Sequence, residues 1–267
     1  MKEYFLNHRI SFNEYITGNR FIDICDETGA TFCKTDYLNA FVQTNHNVFV
    51  THNSDYHIDN QRYAIGPECS YWLAQNKSVK SDKVIPIPIG LENMTLRTSP
   101  ASQNGLFSSQ VPGALQKATL IDKLNHYDVK KNKLVYMNFN LETSLNERTF
   151  VWNKFKNCDW VTVSGRKTME QYYFDLASHK FVISPRGNGV DCHRVWEALY
   201  LRTIPIVKRT VQMKEFDDLP IYFVDNWSEV DYNKLNDFYK KVTKTKYNLN
   251  KLKISWWRQF INEKLSE

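Results

Sequence analysis

Short apolar runs that end in polar residues alternate along this chain with segments of helical spacing. In the first half, Arg20–Cys25, Thr31–Cys33 and Val48–Thr51 are predicted strands; the second runs into Lys34-Thr35-Asp36 and the third into His52-Asn53-Ser54-Asp55. Helices are predicted over Tyr37–Gln43 and Cys69–Gln75. Val84–Ile87 reads as a short strand followed by Pro88-Ile89-Gly90-Leu91-Glu92-Asn93. Residues 98–113, TSPASQNGLFSSQVPG, are rich in Ser, Gly, Pro and Gln, which predicts a surface loop and a domain boundary near 115–130.

The second half repeats the alternation. Strands are predicted at Leu134–Met137, Trp160–Val163, Phe181–Ser184, Ile204–Val207 and Ile221–Val224. Helices are predicted at Leu145–Phe155, Thr168–Ser178, from Asp191 or Cys192 onward, and at Lys234–Thr243 and Leu252–Leu265. The expected class is therefore α/β, with two Rossmann-like domains, 1–125 and 126–267, facing a central cleft. Parallel-sheet geometry would bring the functional loops of both to that cleft.

Composition narrows this picture modestly. Hydrophobic residues are 42% and aromatics 14% of the 267 residues, enough for real cores and against global disorder. A net charge of +6 suits an anionic substrate and is too weak to argue for nucleic acid. The basic stretch 240–253 reads as a solvated helix and loop. Five scattered cysteines without a C-x-x-C pair point to reduced thiols in a cytosol-like compartment. No apolar run has signal-peptide or membrane-spanning length, so a soluble, cytoplasmic protein is expected.

The chemistry concentrates in Phe181–Val207, a strand, a glycine-bearing loop, a helix and a second strand. Ligands collect where strand carboxyl ends meet helix amino ends, because free backbone N–H groups and the helix dipole point there. Arg186, His193 and Arg194 suit an anion such as a diphosphate. Gly187 and Gly189, flanking Asn188, either form a tight turn or let the backbone approach a phosphate. Arg194 and Glu197 share one helix face; they read as a salt bridge, or as a guanidinium for a diphosphate beside a carboxylate for ribose hydroxyls. Asp191 is placed to cap the helix, with ligand contact as the alternative. Ser164, Gly165 and Arg166 end a neighbouring strand on the same edge and are candidates to face a base or ribose.

The run S-P-R-G-N-G-x-D-x-H-R-x-W-E-A-L-x-x-x-x-I-P-I-V, Ser184 to Val207, resembles the carboxy-terminal motif of exostosin-type glycosyltransferases and of related small transferases from bacteria and large DNA viruses. Weaker likenesses lie at 34–36, 51–55, 87–93 and 146–148. Relatives often carry glycine before the I-P-I/V strand; Arg202-Thr203 stands here, which implies a different turn.

The resemblance implies a GT-B glycosyltransferase: the carboxy-terminal domain holds a nucleotide sugar, with UDP as the default, and the amino-terminal domain holds a glycan acceptor. It assigns Arg194 and Glu197 to the donor and Arg148 to the leaving diphosphate. Inverting transfer needs a general base for the acceptor hydroxyl. Asp55 is the first candidate, then His52, then Asp36. No D-x-D motif occurs, so arginines and helix amino ends are expected to stabilise the leaving group, with no metal or cofactor required. Two alternatives stand beside this: a non-catalytic nucleotide- or glycan-binding module, and a metal-dependent hydrolase using His52, Asp55, His57 and Asp59, whose spacing fits no standard zinc pattern.

Overall fold

Thr17 and Gly29 bracket the first helix, α1 (Gly18–Thr28), of the computed structural model, which describes residues 3–40, 46–92 and 113–267. The Thr17 side chain accepts the Arg20 amide, and Gly29 ends the helix at φ 83° in the left-handed region. Arg20–Cys25, expected as a strand, is thus helical. Phe21, Ile24 and Cys25 fall at i, i+3 and i+4, and that face is buried.

Four parallel strands follow in sequential order: β1 (Thr31–Lys34), β2 (His46–His52), β3 (Cys69–Ala74) and β4 (Val84–Pro86), with the short helix α2 (Asn60–Ala64) between β2 and β3. Cys69–Gln75 was expected to be a helix, but Cys69–Ala74 is β3. Its buried residues Trp72, Leu73 and Ala74 are consecutive, as in a strand covered on both faces. The helix expected over Tyr37–Gln43 is a 3₁₀ turn over Thr35–Ala40. Residues 41–43, Asn93 and the polar loop at 98–112 lie outside the described residues.

Around the expected boundary runs a helix, α3 (Gly113–Tyr127). The second sheet is built from β5 (Lys133–Met137), α4 (Leu145–Phe155), β6 (Val161–Val163), α5 (Met169–Ser178), β7 (His179–Ile183), α6 (His193–Tyr200), β8 (Ile204–Lys208), α7 (Val211–Lys214) and β9 (Tyr222–Val224). Helices α8 (Tyr232–Val242) and α9 (Ile254–Ser266) complete the chain. All pairings are parallel and the strand order is β6-β5-β7-β8-β9. The chain therefore leaves β5 toward β6 on one side and returns to β7 on the other. That reversal is a topological switch point at the carboxyl ends of β5 and β7, the position where ligands bind in open parallel sheets.

One continuous hydrophobic cluster includes Val48, Val50 and Leu73 of the first sheet and Val135, Phe181 and Ile204 of the second. The last helix returns to the first sheet: Trp257 meets the Phe21 ring edge-on at 6.2 Å, and the Asn47 side-chain amide donates to Leu265 O at 3.0 Å. Among the described residues no helix is long and apolar enough to cross a membrane.

The turn before β8 keeps a glycine-like shape without glycine. Arg202 takes φ 58°, and its guanidinium donates to Leu6 O at 2.6 Å and pairs with Asp128 at 3.1 Å. These contacts offset the left-handed strain of about 1 kcal/mol that a side chain incurs there.

Candidate functional site

At the β5/β7 switch point Phe139 after β5, Arg148 from α4, Arg186 of the loop after β7, and Arg194 from α6 come together. Arg148 and Arg194 lie over the same ring, their guanidinium carbons 5.6 and 5.7 Å from the Phe139 centroid. Arg148 is braced: Nε donates to Arg186 O at 2.8 Å and Nη1 to Asn140 O at 2.6 Å. Burial, and then repulsion from Arg194, lowers its guanidinium to about 10. Arg194 is 2% exposed, yet among the described residues its Nε and Nη1 have no hydrogen-bond partner, and neither does the buried Ser184 Oγ. Burial would depress Arg194, but the fields of Tyr172, Cys192 and Glu197 outweigh it and keep the group charged. Buried donors are rarely left unpaired. Arg194, with donors left open and the charge of Arg148 near enough to act on it, has the chemistry to meet an anion.

Other residues of the loop bind the protein itself. Arg186 folds back, with Nη2 donating to Asn188 O at 2.8 Å and lying 3.0 Å from His57 Nε2. The Asn188 amide donates to Asp55 at 3.2 Å. A Cβ on Gly189 would stand 2.7 Å from the Asn76 amide, so this position requires glycine for close approach to the first sheet. Gly187 has more room, with Arg148 Nη2 the nearest atom at 3.4 Å.

Asp191, a candidate ligand contact from sequence, is a tie between the sheets. Its carboxylate accepts from the amides of Ile89 and Cys192, both at 2.8 Å, and from Trp196 Nε1 at 2.9 Å. Its own amide donates to Asn76 Oδ1 at 2.9 Å. Burial nevertheless raises the carboxyl to about 7.

Glu197 is likewise engaged. Lys117 Nζ donates to Oε1 at 2.7 Å and Tyr172 Oη to Oε2 at 3.0 Å, so protein donors already hold both oxygens of the carboxylate that the sequence offered to ribose hydroxyls. Burial works against its charge, and Lys117 reverses the balance, holding the carboxyl below its ordinary value. Ser164 and Gly165 sit one strand away, after β6, where Gly165 O accepts the Asn138 side-chain amide at 2.8 Å.

A cavity of about 520 Å³ adjoins this loop. Asp36, His52, Asp55, Gln75 and Glu92 line it from strand ends of the first sheet, opposite Asn188 and His193. His52, proposed from sequence as a base, is closed on both sides: Nε2 donates to Pro88 O at 3.0 Å and Nδ1 accepts the Asn53 amide at 2.8 Å. Burial holds it near 4, a neutral ring that shapes the turn after β4. His193 donates from Nδ1 to Gly90 O at 2.8 Å, and burial lowers it too. Asp55 sits exposed at the rim.

The cluster read as a possible metal set is dispersed. His52 turns to Pro88, His57 toward Asn188, and Asp59 caps α2 by accepting the Arg62 amide at 2.9 Å. Among the described residues no three His, Cys, Asp or Glu side chains group as metal ligands do.

Sequence reading missed Phe139, Glu92, Lys117 and Asn76. Phe139 and Glu92 follow predicted strands, the same signal that flagged Ser164. Lys117, in the region read as a boundary, had none.

Two parallel sheets with buried arginines at a strand-end switch point beside a polar cleft fit a protein of the glycosyltransferase class. Residues 129–267 match the RXYLT1 C-terminal domain family, just over half of the chain, and the chain belongs to that family. Among solved structures it is similar to one described as a crystal structure of alpha1,3-fucosyltransferase, at 11% identity over 87% of this chain and 75% of that one, with a TM-score of 0.45. No curated protein sequence matches it.

Proposed function

We propose that this protein transfers a sugar from a nucleotide-sugar donor to a hydroxyl of a glycan or glycoconjugate. The arrangement is GT-B, with the donor on residues 126–267 and the acceptor on residues 1–125. The observation that carries this is Arg194, nearly fully buried with two open N–H directions beside Arg148 at the β5/β7 reversal. A donor diphosphate would fill those directions and relieve the repulsion between the arginines. When the sugar leaves, negative charge develops on that diphosphate, and the same pair stabilises it. UDP is the first nucleotide to test, with inversion and metal-independent transfer as the expected course. The five unpaired cysteines favour a reducing, cytoplasmic setting.

The test is a thermal-shift series with UDP, GDP, CDP and ADP, with and without divalent metal. A nucleotide at 100 times its dissociation constant stabilises the fold by about 2.7 kcal/mol. Arg194→Lys, which retains charge but loses the planar donors, should weaken that ligand at least tenfold. A wild-type protein unmoved by all four nucleotides would exclude the reading. A shift without sugar release from any nucleotide sugar would favour a binding module.

A further inference from the structure

We propose that Glu92, rather than Asp55 or His52, is the general base of this transfer, an assignment that rests on the transferase reading above. Glu92 follows β4 and lines the 520 Å³ cleft while only 5% exposed. Among the other histidines and carboxylates of that cleft, His52 has both ring nitrogens engaged, His193 donates from Nδ1 to Gly90 O and is disfavoured as a proton acceptor by burial, and Asp36 is paired with Lys34 at 3.3 Å. Asp55 is on the exposed rim, held by Asn188. Glu92 is the carboxylate that is both buried and fixed. A Cβ added at Gly113 would meet its Cγ at 2.7 Å, so the backbone there packs directly on the side chain. Lys117 Nζ stands 3.6 Å from its Oε2 and 2.7 Å from Glu197 Oε1.

That lysine joins the two halves of the chemistry. Among the described residues, Glu92, Lys117 and Glu197 form a buried cluster of two carboxylates bridged by one ammonium, which holds the Glu92 carboxylate in place. Glu197 belongs to the same helix as Arg194, so base and leaving-group receptor are mounted on one rigid connection.

The acceptor hydroxyl gives its proton to a Glu92 oxygen, and the acceptor oxygen's electron pair forms the new bond to the anomeric carbon. The bond from that carbon to the diphosphate oxygen breaks, and its electron pair leaves with the diphosphate, facing Arg194 and Arg148. Glu92 then returns the proton to solvent.

The experiment compares wild type, Glu92→Gln, Glu92→Asp and Glu92→Ala for UDP release from a panel of UDP-hexoses and UDP-pentoses, with methyl glycosides or water as acceptor. UDP affinity and melting temperature are measured alongside. Glu92→Gln should lose at least 100-fold in turnover, in the range general-base removal gives. UDP affinity should stay within threefold, and the acidic limb of the pH–rate profile should disappear. Added formate should restore part of the Glu92→Ala rate, which a purely structural carboxylate would not allow. If Glu92→Gln does not fold, Glu92→Asp keeps the charge with a shorter reach and should still lose at least tenfold. An active wild type with Glu92→Gln or Glu92→Asp at more than a third of its turnover overturns the Glu92 assignment alone. A wild type that binds none of UDP, GDP, CDP and ADP and releases no nucleotide from any nucleotide sugar overturns the transferase reading and Glu92 with it.

Discussion

Asp191 accepts the backbone amide of Ile89 at 2.8 Å, so a carboxylate at the start of α6 holds the turn that leaves β4 in the other sheet. Nearby bonds act in the same sense. Asn76 accepts the Asp191 amide, His193 donates to Gly90 O, and the buried Gln212 side chain bridges Lys77 N and Ile87 O at 2.8 and 2.9 Å. The strand-end loops of the two sheets are thus joined by directional bonds next to the cleft.

Asp191 should leave a pH signature. Its folded pKa of about 7 lies above the ordinary carboxyl value of 3.8, so between those values the folded state holds a proton that the unfolded state has lost. The contribution of Asp191 is full below pH 4 and falls as pH rises through 7, by at most about 1.4 kcal/mol per pH unit. His52 and His179, both held near 4 by burial, act oppositely, favouring the fold as pH rises from 4 to 6.5. The stability difference between wild type and Asp191→Asn should therefore decline from pH 4 to 7 in denaturant titrations. A constant difference would show that Asp191 does not titrate there.

Lys117 should be costly to remove. Lys117→Met leaves Glu197 buried without its cation, and Glu92 loses the same partner; breaking a buried pair on one side costs about 3–5 kcal/mol. Adding Glu197→Gln should recover a substantial part of that loss. Urea midpoints of the single and double variants give the comparison, and additive losses would argue against a shared network.

The two loop glycines should respond differently. Gly189→Ala drives a methyl into the Asn76 amide at 2.7 Å, an overpacking worth about 1–3 kcal/mol, and should also reduce nucleotide affinity by moving the loop. Gly187→Ala meets its nearest neighbour at 3.4 Å and should cost less than half as much. Equal losses in melting temperature would refute the packing argument.

At the turn before β8, Arg202→Ala should be worse than Arg202→Gly. Both lose the Asp128 and Leu6 contacts, but only alanine keeps the left-handed strain, a difference of about 1 kcal/mol. Equilibrium unfolding of the pair tests it.

Much of the second half was legible because local signals agree. Leu145–Phe155 is helical as its pattern predicts, and α5 begins at Thr168 with a reciprocal capping box to Gln171. The glycine loop fell where strand and helix periods change. The first half was harder. Arg20–Cys25 carries the β-favouring composition of a strand, although Thr17 and Gly29 were visible helix punctuation. Cys69–Ala74 is buried too continuously for a two-residue period to emerge, and such short apolar runs fit helix or strand equally.

Sequence alone determined the α/β alternation, the anion-seeking loop between β7 and α6, and the presence of Arg148, Arg194 and Glu197, since these depend on residue type and near spacing. Tertiary structure decided which of those groups remain open. Arg186, Asp191, Glu197 and His52 find partners from Gly187 to Lys117 and Pro88, whereas Arg194 retains two donors without a hydrogen-bond partner among the described residues. It also brought Glu92 and Lys117, 25 positions apart in sequence, to 3.6 Å. The physical reason is that a hydrogen bond or ion pair acts over a few ångströms, and only the folded backbone sets those distances.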